Sequence, residues 1–364
     1  MYKNVLLTGA TGFLGSRLCR SLLERSPGKI YCLVRGRTPD GGERRLHARL
    51  QLPPIDRERI VPVAGDVRVT RFGMTPARYD ELANTIDTVY HCAASVNLAA
   101  DYDRLEPSNV GGTQEVLRFV QHRRTKHLHH VSTAGIFIAA GQCVCTETGV
   151  PSWEMAGGIG YCQTKFIGET EVRSADVPAT IYRPGLVLGD TVTGECSSSD
   201  AIGRMIRAAA MLRTAAATTA RVPVSSVDFT AHAIAALSLR PDSAGQVFHP
   251  LEIPTFPLRE MFEHLQTLGY VSQSVSVPAW HHLLSDQPES SAAFVMLAVW
   301  RAARHILAET PALHPPLFDA TVTTAALAAE GVHPSPLDIS YFQRMFTRLV
   351  GEPATTGTPK FTDD

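Results

Sequence analysis

Residues 5–16 read VLLTGATGFLGS, which is a short apolar run, three glycines and the start of a helical apolar pattern. This order is typical of a strand, a tight turn and a helix. Gly9 permits the turn, Gly12 lets backbone approach a pyrophosphate, and Gly15 allows the helix to pack closely on the strand. Free N–H groups at the helix N-terminus favour the pyrophosphate anion. The sequence therefore predicts a Rossmann-type dinucleotide site, and the cofactor-binding residues expected here are Thr8, Gly9, Thr11, Gly12, Phe13 and Leu14.

Length and composition favour one large domain with a smaller appendage. The chain has 364 residues, 44% of them hydrophobic, and a formal net charge of -1. Such a charge balance gives no sign of nucleic acid or an anionic membrane surface as a partner. The first residues lead into a strand without a charged and apolar leader, and the longest apolar run, 292–300, is too short to span a bilayer. We expect a cytoplasmic protein.

Cysteines and histidines invite a metal hypothesis that their spacing does not support. Seven cysteines are scattered along the chain, which is unlike a disulfide framework. Cys143 and Cys145 have no second ligand pair at zinc spacing, and His127, His129 and His130 have no carboxylate or cysteine cluster nearby in the sequence. We expect no metal site.

Six apolar runs alternate with helical patterns in the first half of the chain. The predicted strands are residues 5–8, 30–34, 60–63, 88–91, 127–131 and 179–182. This alternation predicts an α/β fold with a doubly wound parallel sheet of Rossmann type. From Pro241 onward the alternation is lost, and a helix over 258–268 begins a helix-rich remainder.

The loss of alternation suggests where the chain divides. We expect a Rossmann domain over 1–240, with an inserted substrate loop near 191–227, and a smaller, mainly helical substrate-binding subdomain over 241–352. Trp280 or Phe294 could line an acyl channel there, although core packing explains both equally well. The Thr/Gly/Pro-rich tail over 353–364 is expected to be disordered.

The end of the second strand indicates which cofactor binds. An acidic residue there would hold the ribose 2′-hydroxyl of NAD, whereas Arg35 suits a 2′-phosphate. The sequence therefore predicts NADPH, with a solvated loop charge as the alternative.

Residues after the third and fourth strands would complete the cofactor site. Asp66 and Val67 follow the third strand where adenine would lie, and Asp66 could accept from the adenine amino group or cap a turn. Small residues after the fourth strand leave room for a cofactor, although they also occur where backbone packs tightly. Asn109 is expected there as a structural hydrogen-bonding or capping residue. The small residues are Ala93, Ala94 and Ser95.

A catalytic set follows the fifth strand. Tyr161 and Lys165 are four residues apart, so a helix places the phenol and the ammonium on one face. The ammonium should lower the pKa of the tyrosine towards neutral, so that it exchanges a proton with substrate. Thr133, at the end of the neighbouring strand, would supply a hydroxyl to the same oxygen. Strand ends are where open parallel sheets bind ligands.

Eight motifs along about half of the chain carry a family resemblance. They are TGATGFLG (8–15), CLVRGR (32–37), GDV (65–67), HCAASVN (91–97), NVGGT (109–113), VSTAG (131–135), GYCQTKFIGE (160–169) and YRPGLVLGD (182–190). With them the sequence resembles the extended short-chain dehydrogenase/reductase superfamily. Within it, the chain is most similar to the thioester reductases, which include terminal reductase domains of nonribosomal peptide and polyketide synthases, carboxylic acid reductases and aminoadipate reductase.

The resemblance implies a role for each site residue. Thr133, Tyr161 and Lys165 would be the catalytic set, with Tyr161 donating the proton and Lys165 also holding the nicotinamide ribose. Arg35, with help from Arg45, would bind the 2′-phosphate. The segment Pro184-Gly185 would lie along the nicotinamide. The implied reaction is NADPH-dependent reduction of an acyl or peptidyl thioester on a phosphopantetheinylated carrier protein, giving an aldehyde or, after a second hydride transfer, an alcohol.

Departures from the family pattern leave other readings open. Family domains commonly follow an adenylation or carrier domain, whereas this chain begins at its first strand and is either free-standing or an excised piece. Phe166 stands where a tryptophan often follows the lysine, and retained Tyr161 argues against a non-redox cyclase.

Two other functions fit the same residues. A fatty acyl-CoA reductase or a ketone/alcohol dehydrogenase would use the same catalytic residues, and an NADPH-sensing protein would bind NADPH without turnover.

Overall fold

The computed structural model describes residues 4–36, 40–141, 143–197, 200–288, 291, 296–297 and 316–353. Its strands are β1 (Asn4–Thr8), β2 (Lys29–Val34), β3 (Ile60–Ala64), β4 (Thr88–His91), β5 (His127–Val131), β6 (Val144–Cys145), β7 (Ala179–Tyr182), β8 (Leu186–Leu188), β9 (Thr214–Ala217), β10 (Arg221–Ser226), β11 (Val247–Phe248), β12 (Ile253–Pro257), β13 (Gln273–Ser276) and β14 (Leu317–Phe318).

Helices connect most of these strands. They are α1 (Phe13–Arg25), α2 (Gly41–Leu50), α3 (Pro54–Arg57), α4 (Pro76–Thr85), α5 (Tyr102–Asn109), α6 (Gly111–Gln121), α7 (Gly160–Ser174), α8 (Ala201–Leu212), α9 (Val227–Ser238), α10 (Leu258–Thr267), α11 (Val277–Ser285), α12 (Thr321–Ala329) and α13 (Ile339–Val350). Short 3₁₀ turns occur at Thr70–Gly73, Ala134–Phe137 and Glu154–Ala156.

The central sheet has seven parallel strands in the order β11-β7-β5-β4-β1-β2-β3. The chain therefore runs outward from β1 in one direction through β2 and β3, and in the other through β4, β5 and β7. This reversal between β1 and β4 is the switch point at which doubly wound sheets bind ligands. The predicted fold class is confirmed, and all six predicted strands are present with boundaries within one residue.

Helices cover both faces of the sheet. One apolar core lies between the sheet and helices α1, α2 and α9, and includes the fully buried Leu7 and Leu18. A second lies on the opposite face against α4 and α6, where Leu6 and Phe119 are fully buried. Strands buried on both faces explain the nearly continuous apolar runs of the sequence.

A third core unites α8, α10, α11 and α13 with two small sheets, β12-β10-β8 and β13-β9. Trp280 is fully buried in this core, where its indole N–H donates to the Thr214 carbonyl at 2.8 Å. Trp280 therefore packs in a core and does not line a channel. Phe294 and residues 354–364 lie outside the described residues. β11 pairs with β7 from beyond residue 240, so the sheet also draws on the segment predicted as the subdomain.

None of the helices in the described part of the chain is both long enough and apolar enough to cross a membrane.

Candidate active site

The glycine-rich turn adopts the close packing that its sequence predicts. Gly9 has a φ of +80°, and a Cβ there would lie 2.7 Å from the amide nitrogen of Ala93. A Cβ on Gly15 would lie 2.1 Å from the Gly9 carbonyl oxygen, so only glycine fits where α1 crosses the turn. Helix α1 begins at Phe13, directly after Gly12. The N-terminus of α1 is therefore held against the end of β1, where a pyrophosphate would bind.

A cavity of about 430 Å³ extends from this edge of the sheet. Its lining residues include Arg35, Gly65 and Asp66, which follow β2 and β3. Arg35 and Arg45 are both exposed, and the Arg45 guanidinium donates to the Arg35 carbonyl. The structure thus places Arg35 at the cavity and the Arg45 guanidinium against the Arg35 backbone, and their binding of a 2′-phosphate stays a prediction.

Asp66 caps a turn at the same cavity. Its Oδ1 accepts from the backbone N–H of Arg68 at 3.0 Å, and its Oδ2 accepts from the Arg68 guanidinium at 2.6 Å. Burial works to raise the pKa of Asp66, but the hydrogen bonds and charge of Arg68 outweigh it and lower that pKa. Val67 packs against Gly112 of α6. Turn capping is thus observed, and adenine recognition by Asp66 stays a prediction.

Asn109 fastens the loop after β4. Its side chain accepts from the Ser95 N–H at 2.7 Å, donates to the Ser95 carbonyl at 3.2 Å, and donates to Thr164 of α7 at 3.0 Å. The Thr8 hydroxyl accepts from the Ala93 N–H at 3.2 Å and lies 2.8 Å from His91 Nδ1. Asn109 and Thr8 are buried and bind protein groups, so both shape the floor of the site.

The three predicted catalytic residues converge at the end of β5. Thr133 lies two residues beyond β5, and its hydroxyl hydrogen bonds with Tyr161 in the first turn of α7. Lys165, one turn further along α7, is buried, and its ammonium donates to the Val131 carbonyl at 2.7 Å. A Cβ on Gly160 would lie 2.5 Å from the Asp101 backbone, which explains a glycine where α7 packs against the start of α5.

The electrostatics differ from the expectation drawn from the sequence. Burial raises the pKa of Tyr161 above its ordinary value, and only the hydrogen bond with Thr133 opposes this. Burial also lowers the pKa of Lys165 to about 8, against the opposing effects of Cys92 and Glu169. The expected lowering of the tyrosine pKa is therefore wrong for the protein alone, because desolvation of the buried phenol raises that pKa.

The Pro184-Gly185 segment lies beside the catalytic set. The Pro184 carbonyl accepts from the Ala134 N–H at 2.8 Å, next to Thr133. A Cβ on Gly185 would lie 2.3 Å from the Pro223 carbonyl oxygen. The segment therefore packs between β10 and the backbone that follows β5. This position suits its predicted place along a nicotinamide.

Sequence reasoning missed the groups behind the catalytic set. Glu169 and Arg183 form a fully buried ion pair with 2.6 Å between Oε1 and Nη2. Both residues stand in the quoted motifs, but the sequence gives no sign that they meet. The only signal in the sequence is that Glu169 follows Lys165 by one helical turn, which places its carboxylate near the lysine but does not identify its partner.

Two of the three histidines that suggested a metal site lie in the core of the sheet. Within the described residues, no group of three or more His, Cys, Asp or Glu side chains is arranged to hold a metal ion. His129 and His130 are fully buried in β5, and burial lowers the pKa of each. They are core residues of the sheet.

The chain is similar to several known proteins. The family described as "Male sterility protein", a group of NAD-binding domains, matches residues 7–234. The chain is 34% identical over 291 residues to a linear gramicidin synthase protein of Brevibacillus parabrevis, covering 77% of this chain and 6% of that protein. It is 30% identical over 299 residues to the L-2-aminoadipate reductase large subunit of Penicillium chrysogenum, covering 76% and 21% respectively. The chain thus spans less than a quarter of the length of either protein.

Among solved structures, one reductase domain is similar to this chain along nearly the whole length of both. It is the terminal R domain from the myxalamid PKS-NRPS biosynthetic pathway, with a TM-score of 0.88 and 30% sequence identity. The similarity covers 99% of this chain and 93% of that domain.

Proposed function

The chain belongs to the thioester reductase family of the extended short-chain dehydrogenase/reductase superfamily, and we propose from this that it reduces a carrier-bound acyl or peptidyl thioester with NADPH. The observation that carries the proposal is the convergence of Thr133, Tyr161 and Lys165 at the end of β5. These residues lie on the same edge of the sheet as the glycine-rich turn of β1, where the family binds a nicotinamide dinucleotide.

NADPH is proposed because Arg35 lines the cavity beyond β2 and the Arg45 guanidinium reaches the Arg35 backbone. Their two guanidinium groups can form charge-assisted hydrogen bonds with a 2′-phosphate. The cavity is lined by Gly65 and Asp66 on the side where adenine would lie. At the end of β2, Arg35 occupies the position where an acidic residue would hold a free ribose 2′-hydroxyl.

The three side chains that converge near the end of β5 can supply the proton that such a reduction needs. When bound, the nicotinamide would supply a hydride to the carbonyl carbon of the thioester. Thr133 would donate a hydrogen bond to the carbonyl oxygen, and Tyr161 would give that oxygen its proton. The Lys165 ammonium would stabilise the phenolate that remains, and the proton would be restored from solvent. Breakage of the carbon–sulfur bond of the hemithioacetal then releases aldehyde and thiol.

Substrate binding is proposed on the open side of α7. Leu98, Ile138 and Tyr161 are partly buried and pack against the same small apolar cluster, and we propose their accessible sides as an apolar patch. An acyl chain could lie against this patch while its thioester carbonyl meets Thr133. We propose that the segment 241–352 contributes the outer wall of this site and that a carrier protein delivers the thioester. The family relatives named above, which include synthase proteins, support a carrier as partner.

Incubation of one acyl group on pantetheine and on a carrier protein, with NADPH or NADH, tests the proposal. Mass spectrometry should detect aldehyde or alcohol, with faster product formation from the carrier and from NADPH. A ketone reductase would leave the thioester intact, and a sensor would bind NADPH without oxidising it. Either result would refute the proposed function.

A further inference from the structure

A buried carboxylate behind the catalytic set has no role in the chemistry above. Glu169 lies on α7 one turn after Lys165, and its side chain is fully buried. Its Oε2 accepts from the Ser132 hydroxyl at 2.7 Å, and its Oε1 accepts from Arg183 at 2.6 Å and from Arg173 at 2.9 Å. A buried charge is stable only when polar or charged partners replace its hydration, so the positions of these partners show which parts of the fold the carboxylate connects.

One of these partners belongs to the catalytic strand end. Ser132 directly precedes Thr133, and Val131 precedes Ser132. The Lys165 ammonium binds the Val131 carbonyl, and the Glu169 carboxylate binds the Ser132 hydroxyl. Two side chains one turn apart on α7 therefore fix Val131, the last residue of β5, and Ser132, which follows it, immediately before the catalytic threonine.

The other main partner belongs to the strand that leads to the nicotinamide segment. Arg183 follows β7 and directly precedes Pro184. Its guanidinium also donates to the Gly149 carbonyl at 3.0 Å, lies 3.3 Å from His249 Nε2, and stacks over the Phe137 ring at 4.8 Å. These contacts lock the guanidinium in one orientation. Glu169 thus sits where α7, the end of β5 and the end of β7 meet.

The carboxylate also affects the charge of its neighbour. Burial lowers the pKa of Lys165, and the charges of Cys92 and Glu169 oppose this. His91 and His130 also interact with the ammonium, and burial lowers the pKa of each, so both are neutral. Burial would raise the pKa of Glu169 itself, but the hydrogen bond and charge of Arg183 outweigh burial and lower it. Glu169 is therefore ionised in the pH range in which Lys165 is protonated, and its negative charge favours the protonated lysine.

We propose that Glu169 is a positioning residue, which fixes Thr133 against α7 through Ser132 and keeps a negative charge one helical turn from the Lys165 ammonium. Arg183 in turn holds the carboxylate in place. This inference rests on the proposed function, because that function gives Lys165 and Thr133 their roles.

Lysine titration by NMR tests the electrostatic part without any substrate. The chain has only five lysines, namely Lys3, Lys29, Lys126, Lys165 and Lys360, so isotope-labelled lysine gives a simple spectrum. Lys126, at the opposite end of β5, is also buried, and burial lowers its pKa to about 8 as well. In Glu169→Gln, Lys165 should titrate at a lower pH than in the wild type, while Lys126 should not change. The inference is overturned if Lys165 keeps its titration, or if both lysines move together.

Kinetics test the positioning part. Glu169→Gln should lower kcat by roughly 10- to 100-fold, because small misplacements of catalytic groups have effects of that order. The decline of kcat/KM at alkaline pH should also begin at a lower pH. Glu115→Gln is the matched control, since Glu115 is a buried carboxylate of α6 that binds the Arg71 N–H and the Arg118 guanidinium. It should lower stability without moving the pH profile.

A second variant covers the case in which Glu169→Gln does not fold. Ser132→Ala keeps the ion pair of Glu169 and Arg183 but removes the link to β5. It should lower kcat several-fold with the Lys165 titration unchanged, and a wild-type kcat would refute the positioning role. Should the wild type reduce no thioester while the lysine titration behaves as expected, the proposed function fails and the electrostatic inference stands.

Discussion

At the scale of single residues, the chemistry depends on the phenol of Tyr161. A raised pKa keeps this phenol protonated at physiological pH, which is the state that a proton donor needs before the reaction. After donation, the phenolate is costly in the same buried surroundings unless a cation is near. Lys165, one turn along α7, supplies that cation.

Tyr161→Phe removes the donated proton and keeps the ring. We expect kcat to fall by roughly 100- to 10,000-fold, the usual contribution of general acid catalysis. Binding of NADPH, measured by fluorescence titration, should change little. A variant that reduces thioesters at the wild-type rate would refute the role of Tyr161 as proton donor.

The charge of Lys165 predicts a pH dependence. A lysine is charged below its pKa, so stabilisation of the phenolate is present below about pH 8 and is lost as the pH rises through that value. The profile of kcat/KM, which reports on the free enzyme, should therefore decline above about pH 8. Residual activity of Lys165→Arg should lack this decline, since a guanidinium stays protonated. A wild-type profile that stays flat well above pH 8 would contradict the assignment.

Arg35 determines the choice of cofactor in this account. Arg35→Ala should raise the KM for NADPH by roughly 10- to 100-fold, as expected for lost hydrogen bonds to a charged group. The KM for NADH should change little. Arg44→Ala is the control, because Arg44 is an exposed arginine of the same helix as Arg45 but on a different face. Equal effects on both cofactors would show that Arg35 does not contact a 2′-phosphate.

At the scale of elements, the contact of α1 with the glycine-rich turn positions the cofactor. Gly15→Ala would place a methyl group 2.1 Å from the Gly9 carbonyl oxygen, so α1 must move away from β1. We expect a lower Tm and at least tenfold weaker NADPH binding, because the helix N-terminus leaves the pyrophosphate. In Gly111→Ala the nearest new contact is 3.9 Å away, so this control should bind NADPH normally. Normal binding by both variants would contradict the predicted pyrophosphate site.

Elements with strong local signals could be predicted from the sequence, and those set by distant contacts could not. The six predicted strands, α1 and the Tyr161/Lys165 pair follow from apolar patterns, glycine spacing and helical periodicity. β11 has two residues and is defined only by its pairing with β7. The ion pair of Glu169 and Arg183 joins separate elements, and the raised pKa of Tyr161 comes from burial that no local pattern reveals.

At the scale of the whole molecule, the sheet brings distant parts of the sequence to one edge. The turn after β1, the loop after β4, the end of β5 and the segment after β7 all lie at the carboxyl ends of parallel strands, where such sheets bind ligands. The third core, around α8, α10, α11 and α13, includes residues of β8 and β10, and Leu98 packs against both this core and the small apolar cluster next to Tyr161.

The most direct test of the account follows the hydride itself. NADPH deuterated at the transferable position is incubated with the protein and an acyl-pantetheine thioester, and the released product is analysed by mass spectrometry. We predict one deuterium in an aldehyde product, or two in an alcohol, on the former carbonyl carbon. Product released without deuterium, or labelled NADPH left unoxidised in the presence of thioester, would contradict the proposed reduction.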